Sequence, residues 1–255
     1  MIGFGARGYM PGGSVGVIEI NGIIYSAKHL SKDIKNFGDD PSIKAIILRI
    51  NSPGSVVAAS QEVYDVVKRQ SGKKPIIASM ESVAASGAYY IALPSDVIVA
   101  NPGTITGSIG VIMEWPVLEK LLQKVGIEFE VIKSKEHKDI GSTHRRLTER
   151  ERDLMQEVVT DVYEQFVRVT SEHRNIPIDS VYKYADGRVF TGRQAKELGF
   201  IDTLGSFEAA IDIAGELIGI AEPHLVYPPK RLSLVDIILT PMEQLTLPKL
   251  YFLWR

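Results

Sequence analysis

Ser86 stands in the string Ser82-Val83-Ala84-Ala85-Ser86-Gly87-Ala88-Tyr89-Tyr90, where an apolar run gives way to a helical pattern among very small residues. Small neighbours let another backbone approach closely, and the start of a helix favours developing negative charge; an attacking serine needs both. The same string also reads as the close packing of a small-residue helix. Asn51-Ser52-Pro53-Gly54-Ser55 breaks the chain after another apolar run. A glycine in such a turn can aim its N–H at an oxyanion, although read alone the string is an ordinary turn. Two further strings are polar and individually weak: Asn101-Pro102-Gly103-Thr104-Ile105-Thr106-Gly107-Ser108-Ile109-Gly110, and Lys138-Asp139-Ile140-Gly141-Ser142.

Other chemistries find little support. The chain has no cysteine, which removes disulfides, thiolate metal sites and thiol nucleophiles. Its histidines, His29, His137, His144, His173 and His224, show no i, i+4 pair, so no metal site is expected. Gly3-Phe4-Gly5-Ala6-Arg7-Gly8 spells G-x-G-x-x-G. It lacks the preceding strand and following helix of a dinucleotide site and reads as part of a flexible start. A Ser-His-Asp triad assembles from distant positions, so spacing does not decide it, but the G-x-S-x-G elbow is missing. With 29 Lys and Arg against 31 Asp and Glu, the net charge of −2 argues against a general nucleic-acid binder.

The elements that must position these strings are legible as alternating patterns. Residues 14–20, 43–50, 75–79, 96–100, 109–113 and 128–132 read as strands, with 43–50 apolar enough to be buried on both faces. Helical spacing follows residue 56 and recurs over 85–92 and 116–125. Strand and helix in alternation imply βαβ units, hence a parallel α/β fold. The second half is helical. Thr148 with Glu151 and Thr191 with Gln194 are capping-box pairs; Gly199 and Gly219 are stops, and Ser206 opens a last helix. Residues 134–146 are polar and without period, so they read as a loop. The expected organisation is a flexible start at 1–13, one domain over 14–221, and a tail over 222–255 whose prolines forbid a continuous helix.

Taken together and in order, the four strings resemble the signal peptide peptidase A family of serine proteases, in its single-unit form. The resemblance runs from about Val15 to Ile218 and includes Asp186-Gly187-Arg188-Val189-Phe190-Thr191-Gly192. It implies a Clp-protease/crotonase-like βαβ superhelix with C-terminal helical elaboration, and a Ser–Lys dyad that needs no cofactor. Matched residue by residue, Ser86 corresponds to the nucleophile, Lys138 to the general base and Ser108 to the serine that holds the lysine amine. Gly54 with Ser55, together with Gly87, corresponds to the oxyanion-hole donors. There are two departures. The family usually has a second glycine where this chain has Ser55, which would be strained if that position needs positive φ. The family also commonly carries an N-terminal membrane anchor, and no stretch here approaches the roughly 20 apolar residues of a span.

The resemblance implies a serine endopeptidase for extended, apolar or membrane-derived peptides such as signal-peptide remnants. It would work as a homo-oligomeric ring, often an octamer, with serine and lysine from adjacent protomers. The expected setting is a prokaryotic membrane surface reached by a chain soluble as written. The lysine needs a pKa nearer ~7–8 than its reference ~10.4, so Asp139 must point away from it. The Val83, Ala84, Ile109 and Val111 region predicts small or aliphatic side chains at the cleavage subsites. Leu234, Ile237, Ile238, Leu245, Leu247, Leu250, Phe252 and Trp254 make the tail apolar. Three fates are open to it: packing on the domain or across subunits, contact with a membrane surface, or occupation of a substrate groove as a strand. The rival functions are a crotonase-like acyl-CoA enzyme, which also holds an oxyanion on backbone N–H groups, and an inactive scaffold that binds a membrane protein.

Overall fold

The computed structural model describes residues 14–229 and 249–254, with the side chains of residues 249–251 outside that description. The chain opens with strand β1 (Ser14–Asn21), helix α1 (Lys28–Asp39) and strand β2 (Ile43–Ser52). A short strand β3 (Gly54–Val56) leads straight into α2 (Val57–Ser71), and β4 (Ile76–Ala85) runs up to α3 (Gly87–Ala92). Next come β5 (Val97–Ala100), β6 (Ile105–Gly107), β7 (Ile112–Glu114), α4 (Glu119–Lys124) and a 3-10 turn (Glu136–Asp139). The long α5 (Glu149–Arg174) precedes α6 (Ile178–Tyr182), β8 (Val189–Thr191), α7 (Gly192–Glu197), β9 (Thr203–Leu204) and α8 (Phe207–Ile218). Two more strands follow, β10 (His224–Val226) and β11 (Lys249–Leu253).

The near-continuous apolar run of β2 is explained by cover on both faces. Ile46, Leu48 and Ile50 join a core with Val63 and Val67 of α2, Tyr89 of α3 and Phe166 of α5. Ala45 and Ile47 point the other way, to Val15, Val17, Ile77 and the Ala210 and Ala214 face of α8. Burying each such large aliphatic side chain contributes about 1.5–3 kcal/mol before ordering costs. The main sheet runs β10-β1-β2-β4-β5-β9, every pair parallel, with β6 attached to the far end of β4 and β8 antiparallel to β6. A second sheet, antiparallel and ordered β3-β11-β7, stands apart from it.

Both capping boxes form. Thr148 Oγ1 accepts the Glu151 N–H at 3.2 Å while the Glu151 carboxylate accepts the Thr148 N–H at 2.9 Å, and Thr191 with Gln194 repeats the exchange. Gly199 and Gly219 end their helices at positive φ. Several expectations need correction. The strand expected over 75–79 continues to Ala85, so the helix expected from 85 starts at Gly87. The strand expected over 109–113 is β7, displaced to Ile112–Glu114, and the helix expected over 116–125 shortens to α4. Residues 128–132 form no strand: Phe129 and Val131 alternate as a strand would, but meet no sheet edge and stay exposed. Helix α1 was not anticipated; its apolar stripe is narrow and Ala27 offers no side-chain cap. The Gly3–Gly8 glycines and Leu234, Ile237, Ile238, Leu245 and Leu247 lie outside the described residues.

Candidate active site

Ser86 and Ser108 become neighbours through strand register. The end of β4 pairs in parallel with β6, Ala84 with Thr106 and Ala85 with Gly107, so the next residue on each strand is a serine. The Ser86 N–H donates to the Gly107 carbonyl at 2.8 Å, and the Ser108 N–H donates to the Arg188 carbonyl at 2.9 Å. Both serines hold positive φ, 54° and 51°, an uncommon conformation for residues with a Cβ that is kept only where the surroundings enforce it. Ser86 is 1% exposed, and its Oγ has no hydrogen-bond partner among the described residues. Gly107 is required here: φ is +79°, and a Cβ would stand 2.5 Å from the Phe190 ring.

The turn after β2 meets this junction. A Cβ on Gly87 would overlap Ser55 Oγ and stand 2.9 Å from Ser55 N, so the two backbones touch only because residue 87 is glycine. Gly87 opens α3, where N–H groups have no intrahelical acceptor. The N–H of Gly54 is already engaged, donating to Ser52 Oγ at 3.2 Å. Positive φ falls on Gly54 (+139°) and not on Ser55, so the substitution of serine for a second glycine carries no left-handed strain.

Lys138 is not hydrogen-bonded to Ser86. It is exposed on the 3-10 turn. The carboxylate beside it is turned away and occupied. Asp139 takes Lys133 at 2.7 Å and the Arg145 guanidinium at 2.8 and 2.9 Å. Arg145, then Lys133, hold the Asp139 carboxyl well below the usual carboxylate range. Arg145 also grips buried Glu151 at 2.6 and 2.7 Å, pulling that carboxyl down to about 2 and tying the lysine-bearing turn to the start of α5.

A strand lies directly along Ser55. β11 lies antiparallel between β3 and β7, with Phe252 opposite Ser55 and Leu253 opposite Gly54. The Trp254 N–H donates to the Pro53 carbonyl at 2.9 Å. The Phe252 carbonyl oxygen occupies the place a Gly54 Cβ would take, so only glycine admits that chain. Leu253 and Trp254 line a cleft of about 580 Å³ with Ser108, Val111, Ile112 and Tyr163. Residues 249–254 pack on the domain as a strand between β3 and β7, with Phe252 in the main core. Of the residues expected near aliphatic subsites, Val111 lines the cleft while Ala84 and Ile109 are core, and β11 turns Phe252 onto aromatic rings. Sequence reasoning assigns those rings, Tyr90 and Phe166, no role, because helical spacing says nothing of what a side chain packs against. Arg145 gave no signal beyond being a loop arginine.

Among the described residues no group of three or more His, Asp or Glu side chains could hold a metal ion, and no helix is long and apolar enough to cross a membrane. Residues 68–221 match Peptidase family S49. A Synechocystis protein named as a protease is 44% identical over 205 residues, 80% of this chain and 74% of that one. The chloroplastic serine protease SPPA of Arabidopsis thaliana is 36% identical over 80% of this chain but only 31% of its own length. Protease 4 of Salmonella typhi is 32% identical over 91% of this chain and 39% of its own, so this chain corresponds to well under half of either longer relative. Among solved structures, a point mutant of ClpP1 from Listeria monocytogenes superposes with a TM-score of 0.53, covering 76% of this chain and 93% of that one at 16% identity, which speaks for a shared Clp-type fold. The match over more than half of the chain, on the fold that carries Ser86 to a strained strand-to-helix corner, makes this protein a member of peptidase family S49, the signal peptide peptidase A serine peptidases.

Proposed function

We propose that the chain is a Ser–Lys endopeptidase for extended apolar peptides, including signal-peptide and other membrane-protein remnants. The observation that carries this reading is β11: a peptide strand lies in the groove with one carbonyl beside the Gly54–Ser55 turn that Gly87 touches. In this reading Ser86 Oγ attacks the peptide carbonyl while neutral Lys138 takes its proton. The N–H groups of Ser55 and Gly87 receive the developing oxyanion; Gly54, expected as a third donor, supplies instead the space for the substrate backbone. Lys138 then protonates the leaving amine, and water resolves the acyl-enzyme. Ser108, next to Ser86 in register, orients the amine.

The exposed position of Lys138 and the partnerless hydroxyl of Ser86 support a site completed between two copies of the chain. The arm leading to that turn, residues 119–135, exposes Leu121, Val125, Ile127, Phe129 and Ile132, an apolar surface of the kind that marks an interface. A ring of copies would bury that arm and desolvate the lysine, which favours its neutral form. Membership of a peptidase family favours this over an acyl-CoA enzyme. A fluorophosphonate probe on the full chain tests the dyad: labelling should fall on Ser86, disappear in Ser86→Ala and Lys138→Ala, and slow in Ser108→Ala. Normal labelling and turnover in Lys138→Ala would sink it.

A further inference from the structure

We propose that the side-chain hydroxyl of Ser55 is a third donor to the oxyanion, which makes Ser55 a catalytic residue through its side chain as well as its backbone. The inference rests on the reading of Ser86 as nucleophile and of the Ser55 and Gly87 N–H groups as the first two donors. A buried hydroxyl with nothing to bond is costly, so buried hydroxyls are normally paired. Around this junction the neighbours follow that rule. Ser52 Oγ donates to the Gly54 carbonyl at 3.2 Å, Ser60 Oγ to the Val57 carbonyl at 2.9 Å and Thr106 Oγ1 to the Ala84 carbonyl at 2.7 Å. Ser55 is 0% exposed, yet its Oγ has no partner among the described residues, a condition it shares with the Ser86 hydroxyl. Backbone conformation does not call for serine either, since positive φ falls on Gly54 and Ser55 is ordinary strand.

The hydroxyl lies where the two backbone donors meet. The Ser55 side chain leaves β3 toward α3, and its Oγ fills the space that a Gly87 Cβ would need, with Ser55 N 2.9 Å from the same point. One small region thus gathers the Ser55 hydroxyl, the Ser55 N–H and Gly87, the residue that follows Ser86 directly. The turn also admits a peptide carbonyl. Phe252 stands opposite Ser55 in the β3–β11 register, and its carbonyl oxygen presses on Gly54.

The chemistry explains why such a hydroxyl stays free until the reaction. As Ser86 Oγ bonds the carbonyl carbon, its proton passes to Lys138 and the C=O π pair moves onto the carbonyl oxygen. That oxygen now carries a full charge, and a hydrogen bond to a charged acceptor is about twice as strong as one to a neutral carbonyl. A hydroxyl can rotate its proton onto that oxygen, which a backbone N–H cannot do. The proton remains on Ser55 Oγ throughout. When the carbonyl re-forms and the C–N bond breaks, the hydrogen bond weakens again. The contact therefore favours the transition state over the bound peptide, so its loss should lower kcat and leave KM nearly unchanged.

The test compares the full chain with Ser55→Ala and Ser55→Gly, both of which keep the residue 55 N–H. Turnover of a fluorogenic apolar peptide should show kcat lower by about tenfold or more in each variant, with KM within about twofold of wild type. Fluorophosphonate labelling of Ser86 should slow by a similar factor, because the phosphonyl oxygen takes the place of the oxyanion. Stability should move the other way. Ser55→Ala removes a buried hydroxyl that has no partner, so its melting temperature should rise by about 2–4 °C. A hydroxyl that served only the fold would give the opposite sign. Unchanged kcat in both variants overturns the proposal, and so does a fall in kcat that comes with a lower melting temperature in Ser55→Ala. Labelling separates this inference from the reading beneath it. Wild-type Ser86 that labels at the same rate as both variants defeats the hydroxyl and leaves the nucleophile, whereas wild-type Ser86 that does not label defeats both.

Discussion

A methyl group has no place at Gly87, because Ser55 Oγ already fills the space it would need. Gly87→Ala should therefore push the Gly54–Ser55 turn away from α3 and open the oxyanion hole proposed there. Losing one such donor costs about 10²–10³ in kcat, so peptide turnover should drop by about that factor while the variant still folds. Arg145 makes a different case, since it acts on stability and on the turn that carries Lys138. Its guanidinium serves Asp139 and the 2%-exposed Glu151 together. Arg145→Ala leaves Glu151 buried without its cation; because Arg145 itself is partly exposed, the loss should be about 2 kcal/mol rather than the 3–5 of a fully buried pair. The sign with pH follows from depressed folded pKa values. Both carboxylates contribute stability above their unfolded pKa of about 4, and that contribution fades as pH falls toward about 2, where folded Glu151 takes up its proton. Urea melts from pH 7 to 2 should show wild type and Arg145→Ala converging over that acid window, and parallel curves would refute the assignment.

What was readable before any coordinates depended on how local each element's cause is. β2 announced itself because two cores flank it, and α5 because a capping box and a long apolar stripe are written in neighbouring residues. β3, β6 and β8 have three residues each, too few for alternation to register. The 128–132 segment alternates correctly and still forms no strand, since pairing needs an edge that only the rest of the fold can supply. The site divides the same way. Ser86 was marked by its small neighbours, whereas the closeness of Ser108 comes from the β4–β6 register and the Ser55–Gly87 contact from a turn that packs on α3. β11 is strongly non-local, pairing with strands begun at residues 54 and 112. Removing residues 249–255 should vacate the groove and expose two strand edges. If the tail lies where substrate binds, hydrolysis of apolar peptides should rise several-fold at low substrate, and the melting temperature should fall because Phe252 leaves the core. Unchanged turnover would mean that the tail does not compete for the groove.

At the scale of the molecule, the proposed catalytic residues and the apolar surface are distributed in a way that one copy does not resolve. The Ser86–Ser108 corner is buried, Lys138 is exposed, and the arm leading to it leaves Val125 60% and Ile132 96% exposed. If neighbouring copies supply the two halves of each site, two inactive chains should rescue each other. Ser86→Ala retains the lysine and Lys138→Ala retains the serine. In rings assembled from an equal, refolded mixture, a site works when a Lys138→Ala chain donates Ser86 and its neighbour is a Ser86→Ala chain. Random placement in a head-to-tail ring gives about a quarter of the sites. Peptide turnover by the mixture should thus recover to about 25% of wild type, although each variant alone is inactive. The recovery should vanish when Ile132→Asp and Val125→Asp are added to both chains, because charges on the arm oppose burial against a second copy, and light scattering should then report monomers. A mixture that stays inactive while its rings remain intact would place serine and lysine within one chain, and would require the 3-10 turn at Glu136–Asp139 to close over Ser86 from its own arm.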